Sequence, residues 1–310
     1  MGTLLAAVLG SVTPVILVCR NPTRASALFE HGAAVNGLFS RSSRPIIVRT
    51  IAEIPNAGGA DAVFVATKTT AISSVAAELA KHLDDIAAHR RDLFVVSFQN
   101  GIDSGRELMQ RLGHPLVLRM VLTLGATLNP DGRVNITLNN PPHGIGSVNP
   151  AHAHACNDIA HTLTRAGLET AVIHDIESLV WRKAIINAAM NPVAALANCS
   201  VGEVLDSPSR LIFERLLEEA LNVAAAAGIE LPDDYKQHAQ EVSTAARSHI
   251  PSMVEDIRHG RESEVGQLNR QIIERAHHLG VEVPTHEVID ALIETFDWKV
   301  YRRNHAVAHA

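Results

Sequence analysis

The sequence predicts an α/β protein in which a doubly wound N-terminal domain is followed by an all-helical C-terminal domain. Short apolar runs alternate with helical stretches in the first half of the chain, and the pattern is helical throughout from about residue 176. Continuous apolar runs are typical of buried parallel strands, and strands that alternate with helices form right-handed βαβ units. The two patterns meet near residue 174, so we expect one domain over residues 1–174 and another over residues 175–310.

The strands of the first domain are predicted from apolar runs of four or five residues. A helix is expected over residues 72–83, another over 157–166, and a short strand over 169–173. The turn sequence Asn129-Pro-Asp-Gly132 separates two further strand-like runs, which we expect to add strands at the edge of the sheet. The three buried strands are expected at Val15–Val18, Ala62–Ala66 and Leu93–Ser97, and the two edge runs at 117–127 and 133–138.

Glycine and proline mark the predicted ends of the helices in the second domain. A long helix over residues 210–227 is closed by Gly228, and Gly280 closes a helix over residues 265–279. Pro232 with Asp233, and later Pro284, are expected to open helices.

Composition excludes several classes of protein. The chain has 310 residues, 46% hydrophobic and 19% charged, with a net charge of −6, and its basic residues are scattered, which argues against nucleic acid as a partner. No apolar run reaches the roughly 18 residues that a membrane span requires. Met1–Leu9 has no basic flank, so we do not interpret it as a signal peptide. Three widely separated cysteines fit a reducing compartment, and we expect a cytoplasmic protein.

Three polar side chains, Lys183, Asn187 and Asn191, follow one another at intervals of four residues in an apolar helical segment. This spacing places them on one stripe of the helix. A stripe in contact with water is an equally good interpretation of the composition alone. Two observations oppose it: asparagine is a poor helix former, and Pro192 is expected to kink or break the helix. Because such breaches of local rules mark functional sites, we interpret Lys183 as a proton donor.

With this segment the sequence resembles the ketopantoate reductase family (2-dehydropantoate 2-reductases) over nearly the whole chain. Each matching motif is weak alone, whereas several in the right order with the right spacing are specific. The family's closing Gly-x-x-x-Pro is matched at Gly280–Pro284. The other matches are Thr67-Lys68, Gln99-Asn100-Gly101, Trp181-Arg-Lys183 with Asn187, Asn191-Pro192 and Ala195-Leu196, and Ser252–Ile257 with Arg261, Glu264 and Asn269.

The resemblance implies a Rossmann-like first domain and the NADPH-dependent reduction of 2-dehydropantoate to (R)-pantoate, a step toward pantothenate and coenzyme A. It also implies roles for seven of the matching residues. Lys183 would be the general acid, Glu264 would orient or tune it, Ser252 would bind the substrate carboxylate, Asn187 and Asn191 would hold substrate polar groups, and Asn100 and Lys68 would line the cofactor side of the site.

Two features of the first domain concern the cofactor. Arg20, with Arg24 nearby, follows the first predicted strand, where a Rossmann unit reads the ribose 2′ group, and arginine there suits the 2′-phosphate of NADP. The alternative is an ordinary surface arginine. Gly2 matches the last glycine of the family's Gly-x-Gly-x-x-Gly fingerprint.

The first strand and the first two glycines of that fingerprint have no counterpart in the sequence, so we expect an incomplete phosphate site. Two explanations compete: the true start lies upstream of Met1, or the protein is a degenerate relative that has lost nucleotide binding. The first is preferred because the downstream motifs are kept.

Two further departures concern the second domain. Val201 stands where the family commonly has an asparagine that helps to bind substrate, which leaves a different 2-oxo acid as an alternative substrate. Arg270 stands where the family commonly has glycine.

A metal site at His152, His154 and Cys156 is disfavoured because the spacing matches no metal motif. A homodimer is plausible for a helical domain with ample apolar surface.

Overall fold

The computed structural model describes residues 1–87, 92–113, 116–129 and 131–299. The chain divides into two compact units. The first comprises Met1–Gln99 and Ser104–Ile176, and the second comprises Asn100–Asp103 and the chain from Glu177 onward. Strands and helices alternate in the first unit and helices make up the second, so the predicted α/β fold class is confirmed.

The first unit contains eleven strands and six helices in its described residues. The three strands predicted from apolar runs are present, and helices occur at both predicted positions. The first of these strands is half-buried rather than buried as predicted. In chain order the elements are α1 (Gly2–Leu9), β1 (Ile16–Val18), α2 (Pro22–His31), β2 (Ala33–Gly37), β3 (Arg41–Ser43), β4 (Ile46–Val48), β5 (Ala62–Val65), α3 (Ile72–Ala80), α4 (Leu83–Ala87), β6 (Phe94–Ser97), α5 (Ser104–Leu112), β7 (Val117–Val121), β8 (Leu124–Leu128), β9 (Val134–Asn139), β10 (His143–Gly146), α6 (Ala153–Arg165) and β11 (Thr170–Val172).

The main sheet has five strands in the order β11-β10-β7-β6-β5. β5, β6 and β7 are parallel, and β10 runs antiparallel to β7. β6 is buried along its whole length, and its side chains alternate between two cores. Phe94 and Val96 join the core that contains α1 and α6, while Val95 joins the core that contains α3 and α5. Helices therefore cover both faces of the sheet, as in a doubly wound fold.

β1 and β4 form a separate parallel pair, which is not hydrogen-bonded to the five-stranded sheet. A cavity of about 1400 Å³ is lined by β1 on one side and β5 on the other. Within the described residues, the strand order is thus interrupted between β1 and β5.

The prediction that both runs around the Asn129–Gly132 turn extend the edge of the main sheet is wrong in part. β7 lies inside the main sheet next to β6, whereas β8 and β9 form a second sheet with the order β3-β2-β9-β8. β8 and β9 are antiparallel, and the Gly132 N–H donates to the Asn129 carbonyl at 3.0 Å in their turn; Pro130 lies outside the described residues. β9 pairs with β2, a short strand that contains asparagine and glycine and that no apolar run predicts.

The second unit is built from seven helices in its described residues. Gly228 and Gly280, with φ of 71° and 68°, follow α9 and α12, and Pro284 is the first residue of α13, as predicted. α10 begins at Tyr235, slightly after the predicted Pro232-Asp233 start. None of the described helices is both long enough and apolar enough to cross a bilayer. The helices are α7 (Ile176–Ala197), α8 (Val201–Asp206), α9 (Arg210–Ala226), α10 (Tyr235–Ala245), α11 (Ser252–Arg258), α12 (Asn269–Leu279) and α13 (Pro284–Asp297).

The N-terminus of α13 is capped by a side chain from α9. The first N–H groups of a helix lack partners within it, and the residue before α13, Val283, has no side-chain acceptor. The carboxylate of Glu219 accepts hydrogen bonds from the Thr285 and His286 N–H groups, both at 3.0 Å. A negative charge at this end of the helix is also favoured by the helix dipole. Glu219 therefore joins α9 to α13.

We expect Glu219→Ala to lower the free energy of unfolding by about 1–2 kcal/mol, because it leaves two N–H groups without an acceptor. Glu218→Ala is the matched control, since Glu218 is exposed and forms a surface ion pair with Lys236 at 3.6 Å. We expect the control to change stability by less than about 0.5 kcal/mol. Urea denaturation measures both; equal effects would contradict the capping role.

Candidate active site

α7 carries the polar stripe, and the apolar face of the same helix is packed in the core of the second unit. Trp181, Ile185 and Ala188 are each at most 1% exposed. Lys183 and Asn187 are half-buried, and Asn191 is buried at 8% exposure. None of the three polar residues is exposed, so the stripe is not a freely solvated helix face.

α7 continues through Pro192 and ends at Ala197, so the expectation of a break at Pro192 is wrong. Proline has no N–H, and the carbonyl four residues earlier, that of Ala188, loses its helical donor. The Asn269 side chain supplies a donor instead, with Nδ2 2.9 Å from the Ala188 oxygen. This bond satisfies the backbone group that proline would otherwise leave unpaired, and the helix is retained.

The same amide fixes the protonation of a buried histidine. Asn269 Nδ2 also lies 3.0 Å from His286 Nδ1, and because Nδ2 can only donate, Nδ1 must accept. His286 Nε2 therefore carries the hydrogen and donates it to the Leu216 carbonyl at 2.9 Å. Burial lowers the pKa of His286, and the Leu216 carbonyl and Glu219 oppose that shift. The neutral imidazole thus links α12 and α13 to α9.

Glu264 lies just before α12, in a loop that forms hydrogen bonds with Asp297 and with Asn100. Its neighbour Ser263 is buried, and the Ser263 N–H and Oγ donate to the Asp297 carboxylate at 3.0 and 2.6 Å. Glu264 itself is half-buried, and its Oε2 accepts from Asn100 Nδ2 at 2.9 Å. Read from sequence alone, the Arg261–Glu264 segment is a solvated charge cluster; in the structure Glu264 has a defined partner.

The Asn100 loop is fixed on α12, with which it groups in the second unit. Gly101 has φ of 94°, and a Cβ there would lie 2.5 Å from the Gln267 carbonyl oxygen, so only glycine fits. Gln271 Oε1 accepts from the Ile102 N–H at 2.8 Å and from the Asp103 N–H at 3.2 Å. The loop that follows β6 therefore presents Asn100 to Glu264, a residue 164 positions away in sequence.

Arg275 connects this loop to the beginning of the lysine segment. Its Nη2 lies 2.5 Å from Asp103 Oδ1, and its guanidinium carbon lies 5.4 Å from the centre of the Trp181 ring. A cation over an indole face is attracted by the ring quadrupole. α12 thus holds the Asn100 loop through Gln271 and Arg275, and contacts α7 through Asn269 and Arg275. Sequence patterns did not identify these three side chains as functional, since each acts through a partner distant in sequence.

Ser252 is the first residue of α11 and is exposed. In the same motif, Asp256 is buried at 6% exposure and accepts from Arg261 Nε at 3.0 Å, which ties the end of α11 to the following loop. The hydrogen bonds of the described residues bring Asn100 and Glu264 together, and helical spacing aligns Lys183 with Asn187 and Asn191. Ser252 lies apart from both groups in sequence and is the most accessible of the predicted substrate residues.

Gly2 and Arg20, two of the predicted cofactor residues of the first unit, line the cavity between β1 and β5. Gly2 is the first residue of α1, and a Cβ there would lie 3.4 Å from both Ala66 Cβ and Leu17 Cδ1, so the helix begins between the ends of the two strands. Arg20 is exposed and lines the same cavity. Lys68 is half-buried and follows β5 directly before a short 3-10 helix.

Two further arginines lie at this end of the cavity. Arg24 donates to Thr3 Oγ1 at 2.6 Å, which ties α2 to the first turn of α1. Arg49, which the sequence did not identify, donates from Nε to the Cys19 carbonyl at 2.9 Å and from Nη2 to the Arg20 carbonyl. Together with Arg20 they make the carboxyl end of β1 strongly basic.

These residues fit part of a dinucleotide. The N-terminus of α1 and the arginines favour phosphate groups. Thr67 Oγ1 also lines the cavity and is buried without a hydrogen-bond partner in the described residues, so it can bind a polar group of a ligand. The tight glycine turn that brings the backbone to a pyrophosphate is represented by Gly2 alone.

The two departures in the second unit have structural explanations. Val201 is 4% exposed in the apolar core, at the start of α8, where Ser200 and Glu203 form a capping box. An apolar residue in that position offers no polar contact to a ligand. Arg270 pairs with Asp290 at 2.8 Å and with Glu294 at 3.0 Å, so it joins α12 to α13.

The described residues contain no group of three His, Cys, Asp or Glu side chains that could hold a metal ion. His152, one of the three residues considered for a metal, is 5% exposed. Its ring nitrogens lie 3.0 Å from Ser147 Oγ and 3.2 Å from Asn149 Nδ2. These contacts stabilise the turn before α6.

An α/β unit with a basic strand end, followed by a helical unit with a polar stripe in its core, defines the class of two-domain dinucleotide-dependent oxidoreductases. A family model described as ketopantoate reductase PanE/ApbA matches residues 1–149, and one described as ketopantoate reductase PanE/ApbA C terminal matches residues 175–296. The chain belongs to the ketopantoate reductase family.

Curated relatives agree with this assignment. A protein named 2-dehydropantoate 2-reductase from Pyrococcus horikoshii is 28% identical over 300 residues, which cover 95% of this chain and 93% of the relative. One of the same name from Halobacterium salinarum is 26% identical over 298 residues, 94% of each chain. The chain is therefore similar to these reductases over nearly its whole length.

Solved structures share the fold. The PanE/ApbA family ketopantoate reductase from Ralstonia eutropha JMP134 superposes with a TM-score of 0.81 at 23% identity, covering 95% of this chain and 94% of that one. The ternary structure of D-mandelate dehydrogenase with NADH and anilino(oxo)acetate gives a TM-score of 0.85 at 19% identity, covering 97% and 96%.

The pairing of Asn269 with the carbonyl released by Pro192 predicts a non-additive double mutant. We expect Asn269→Ala to lower the free energy of unfolding by about 1–3 kcal/mol, because a buried carbonyl and a buried imidazole lose their donor. In a Pro192→Ala background the cost should fall, because alanine at position 192 supplies the N–H for the Ala188 carbonyl. Chemical denaturation of the four proteins gives the coupling energy, and additive effects would contradict the assignment.

Proposed function

We propose that the protein reduces 2-dehydropantoate to (R)-pantoate with NADPH, a step toward pantothenate and coenzyme A. Membership of the ketopantoate reductase family and the names of the curated relatives support the reaction class and the substrate. In this proposal residues 1–174 bind the cofactor and residues 175–310 bind the substrate and carry the catalytic lysine.

The observation that carries the proposal is the stripe of Lys183, Asn187 and Asn191, none of them exposed, on a helix whose apolar face is buried in the core. Burying polar groups costs free energy unless they are satisfied, and asparagine is a poor helix former. A function in ligand binding accounts for their presence in this position.

NADPH, when bound, supplies the hydride that reduces the carbonyl carbon. Reduction of a ketone builds negative charge on its oxygen. The Lys183 ammonium stabilises this charge and donates a proton from Nζ to the oxygen, as a general acid does. Asn187 and Asn191 hold the polar groups of the substrate from the same helix face, and Ser252 binds its carboxylate.

Glu264 orients or tunes Lys183 through its carboxylate. The hydrogen bond from Asn100 Nδ2 to Glu264 Oε2 at 2.9 Å, and the Ser263–Asp297 bonds beside it, support a fixed carboxylate rather than a mobile one. A fixed charge partner costs less reorganisation when the proton moves. Asn100 thus follows β6 in sequence and also donates a hydrogen bond to Glu264.

The cofactor specificity rests on the basic end of β1. Arg20 and Arg24 suit the 2′-phosphate that distinguishes NADPH from NADH. Gly2 and the N-terminus of α1 suit a phosphate group, and Lys68 lines the cofactor side of the site.

The three cysteines are free and support a reducing compartment, so we place the enzyme in the cytoplasm. We also propose that the enzyme forms a homodimer.

Two alternatives are each favoured by one observation. The burial of Val201 in the apolar core, where the family commonly has a substrate-binding asparagine, favours a different 2-oxo acid as substrate. The division of the sheet between β1 and β5 favours a non-catalytic relative that has lost nucleotide binding.

We expect Lys183→Ala to lower kcat by about 10²–10⁴-fold, the usual contribution of a positioned general acid. Turnover of 2-dehydropantoate with NADPH is measured for the 310-residue chain and for the same chain extended at its N-terminus by an apolar strand and Gly-x-Gly. Lys236→Ala is the control, because Lys236 is exposed on α10. A Lys183→Ala variant with near-wild-type kcat would show that the role assigned to Lys183 is wrong.

A panel of 2-oxo acids, measured with NADPH and with NADH, tests the substrate and the cofactor together. We expect 2-dehydropantoate with NADPH to give the highest kcat/KM. Arg20→Ala should raise KM for NADPH roughly tenfold with little effect on KM for NADH, because the exposed Arg20 side chain is a partner of the 2′-phosphate that NADH lacks. Arg165→Ala, at an exposed position on α6, should change neither. Absence of turnover with every 2-oxo acid would favour the non-catalytic relative.

A further inference from the structure

A network of buried polar side chains lies at the carboxyl ends of β5 and β6. Ser97, the last residue of β6, is 0% exposed, and Gln99 is 6% exposed. Gln99 Nε2 donates to the carbonyl of Val65, the last residue of β5, at 2.7 Å, and Gln99 Oε1 accepts from Ser97 Oγ at 2.8 Å. Arg119 of β7, the ladder partner of Ser97, donates from Nη1 to Ser97 Oγ at 3.1 Å. Side chains thus join the three strands in addition to the ladder.

A second hydrogen bond from Arg119 reaches beyond the strands. Its Nη2 donates to the Gln99 carbonyl at 2.6 Å, and this carbonyl belongs to the peptide group that joins Gln99 to Asn100. Ser104 Oγ, at the start of α5, donates to the same oxygen at 3.3 Å. Because a peptide group is planar, two donors on its oxygen fix the direction in which the chain enters Asn100.

The far end of the Asn100 loop is fixed by Gln271. Its Oε1 accepts from the N–H groups of Ile102 and Asp103, and Ile102 itself is 5% exposed in the apolar core of the second unit. Asn100 lies between these two anchors, and its Nδ2 donates to Glu264 Oε2 at 2.9 Å. The loop that carries Asn100 is therefore held at both of its ends.

A guanidinium in this position requires an explanation. Arginine keeps its charge, and placing that charge among buried groups costs free energy. The neighbours of Arg119 in β7, Leu118 and Met120, are both 0% exposed, and the ladder already joins β7 to β6. An apolar residue at position 119 would satisfy strand pairing at a lower cost. The hydrogen bond to the Gln99 carbonyl is the contact that an apolar residue cannot make.

We propose that Arg119 is a positioning residue for the reaction: it fixes the peptide group before Asn100, so that the Asn100 amide holds the Glu264 carboxylate. Gln271 fixes the far end of the same loop, and both residues act through Asn100. This inference rests on the proposed function, in which Glu264 orients or tunes Lys183.

Steady-state kinetics with 2-dehydropantoate and NADPH tests the role of Arg119. We expect Arg119→Met, which keeps the aliphatic stem and loses the donors, to lower kcat about 10–100-fold, the cost of misplacing a group by about 1 Å. KM for 2-dehydropantoate should change by less than about threefold, because the residues assigned to substrate binding on α7 and α11 are untouched. Arg119→Lys keeps the charge and a donor without the planar fork, and should recover part of kcat.

Thr164→Val is the matched control for a loss of hydrogen bonding in the same unit. Thr164 Oγ1 accepts from the Thr170 N–H at 3.0 Å, and its removal should lower stability without changing kcat. Urea denaturation compares the stability of the control with that of Arg119→Met. A wild-type kcat in Arg119→Met, or an equal loss of kcat in Thr164→Val, would overturn the proposal.

A double-mutant cycle separates positioning from a general structural role. In an Asn100→Ala background, Arg119→Met and Gln271→Leu should each lower kcat by less than about twofold, because both act through the deleted amide. Gln271 is a half-buried residue of α12, so its variant tests the loop even where the Arg119 variants do not fold. An additive effect of either substitution would contradict the role assigned to that residue.

The Asn100 side chain gives a readout that needs no turnover. In protein that contains isotope-labelled asparagine, the Nδ2 protons of Asn100 should exchange slowly with solvent while they are bonded to Glu264, and Asn100→Ala assigns their resonance by its loss. We expect faster exchange in Arg119→Met and Gln271→Leu, and no change in Thr164→Val. Unchanged exchange in both loop variants would overturn the proposal. Faster exchange in these variants of a protein that turns over no 2-oxo acid would support the positioning of Asn100 and contradict the proposed function alone.

Discussion

Pro192 lies inside α7, and the carbonyl of Ala188 consequently has no donor within its own helix. A buried carbonyl without a partner costs roughly 1–3 kcal/mol, and the Asn269 side chain removes that cost at 2.9 Å. Because the amide nitrogen is committed to the carbonyl, the same nitrogen faces His286 and determines which ring nitrogen carries hydrogen. One missing N–H in α7 thus constrains a residue of α12 and another of α13.

The position of α12 in turn decides the geometry around Glu264. Gln271 and Arg275 on this helix hold the loop that presents Asn100, and Gly101 is forced to be glycine where that loop meets the Gln267 carbonyl. The bond between Asn100 and Glu264 depends on both ends being fixed. Gln271, Arg275 and Gly101 therefore fix the orientation of the Glu264 carboxylate through its contact with Asn100.

Much of this architecture could be predicted from sequence because its signals are local. β5 and β6 are continuous apolar runs, and Gly228, Gly280 and Pro284 mark helix boundaries. Lys183, Asn187 and Asn191 are linked by helical spacing alone. The remainder depends on partners remote in sequence. β2 is too short and too polar to be recognised until β9 pairs with it. Asn269 and Ala188 are 81 positions apart, so no pattern around Pro192 could show that the helix would continue.

The last helix, α13, takes part in most of these hydrogen-bond networks. α13 supplies the His286 ring to Asn269, two N–H groups to Glu219 and the Asp297 carboxylate to Ser263. Before α13 packs against α9, the Glu219 carboxylate of α9 has no helix N-terminus to cap. The loop around Glu264 then also lacks the hydrogen bonds between Ser263 and Asp297. During synthesis on the ribosome, domains fold as units once their sequence has emerged. The loop around Glu264 consequently acquires its anchor only after the C-terminal helix has been released, and a folding intermediate that lacks α13 would expose the apolar surfaces of α9 and α12.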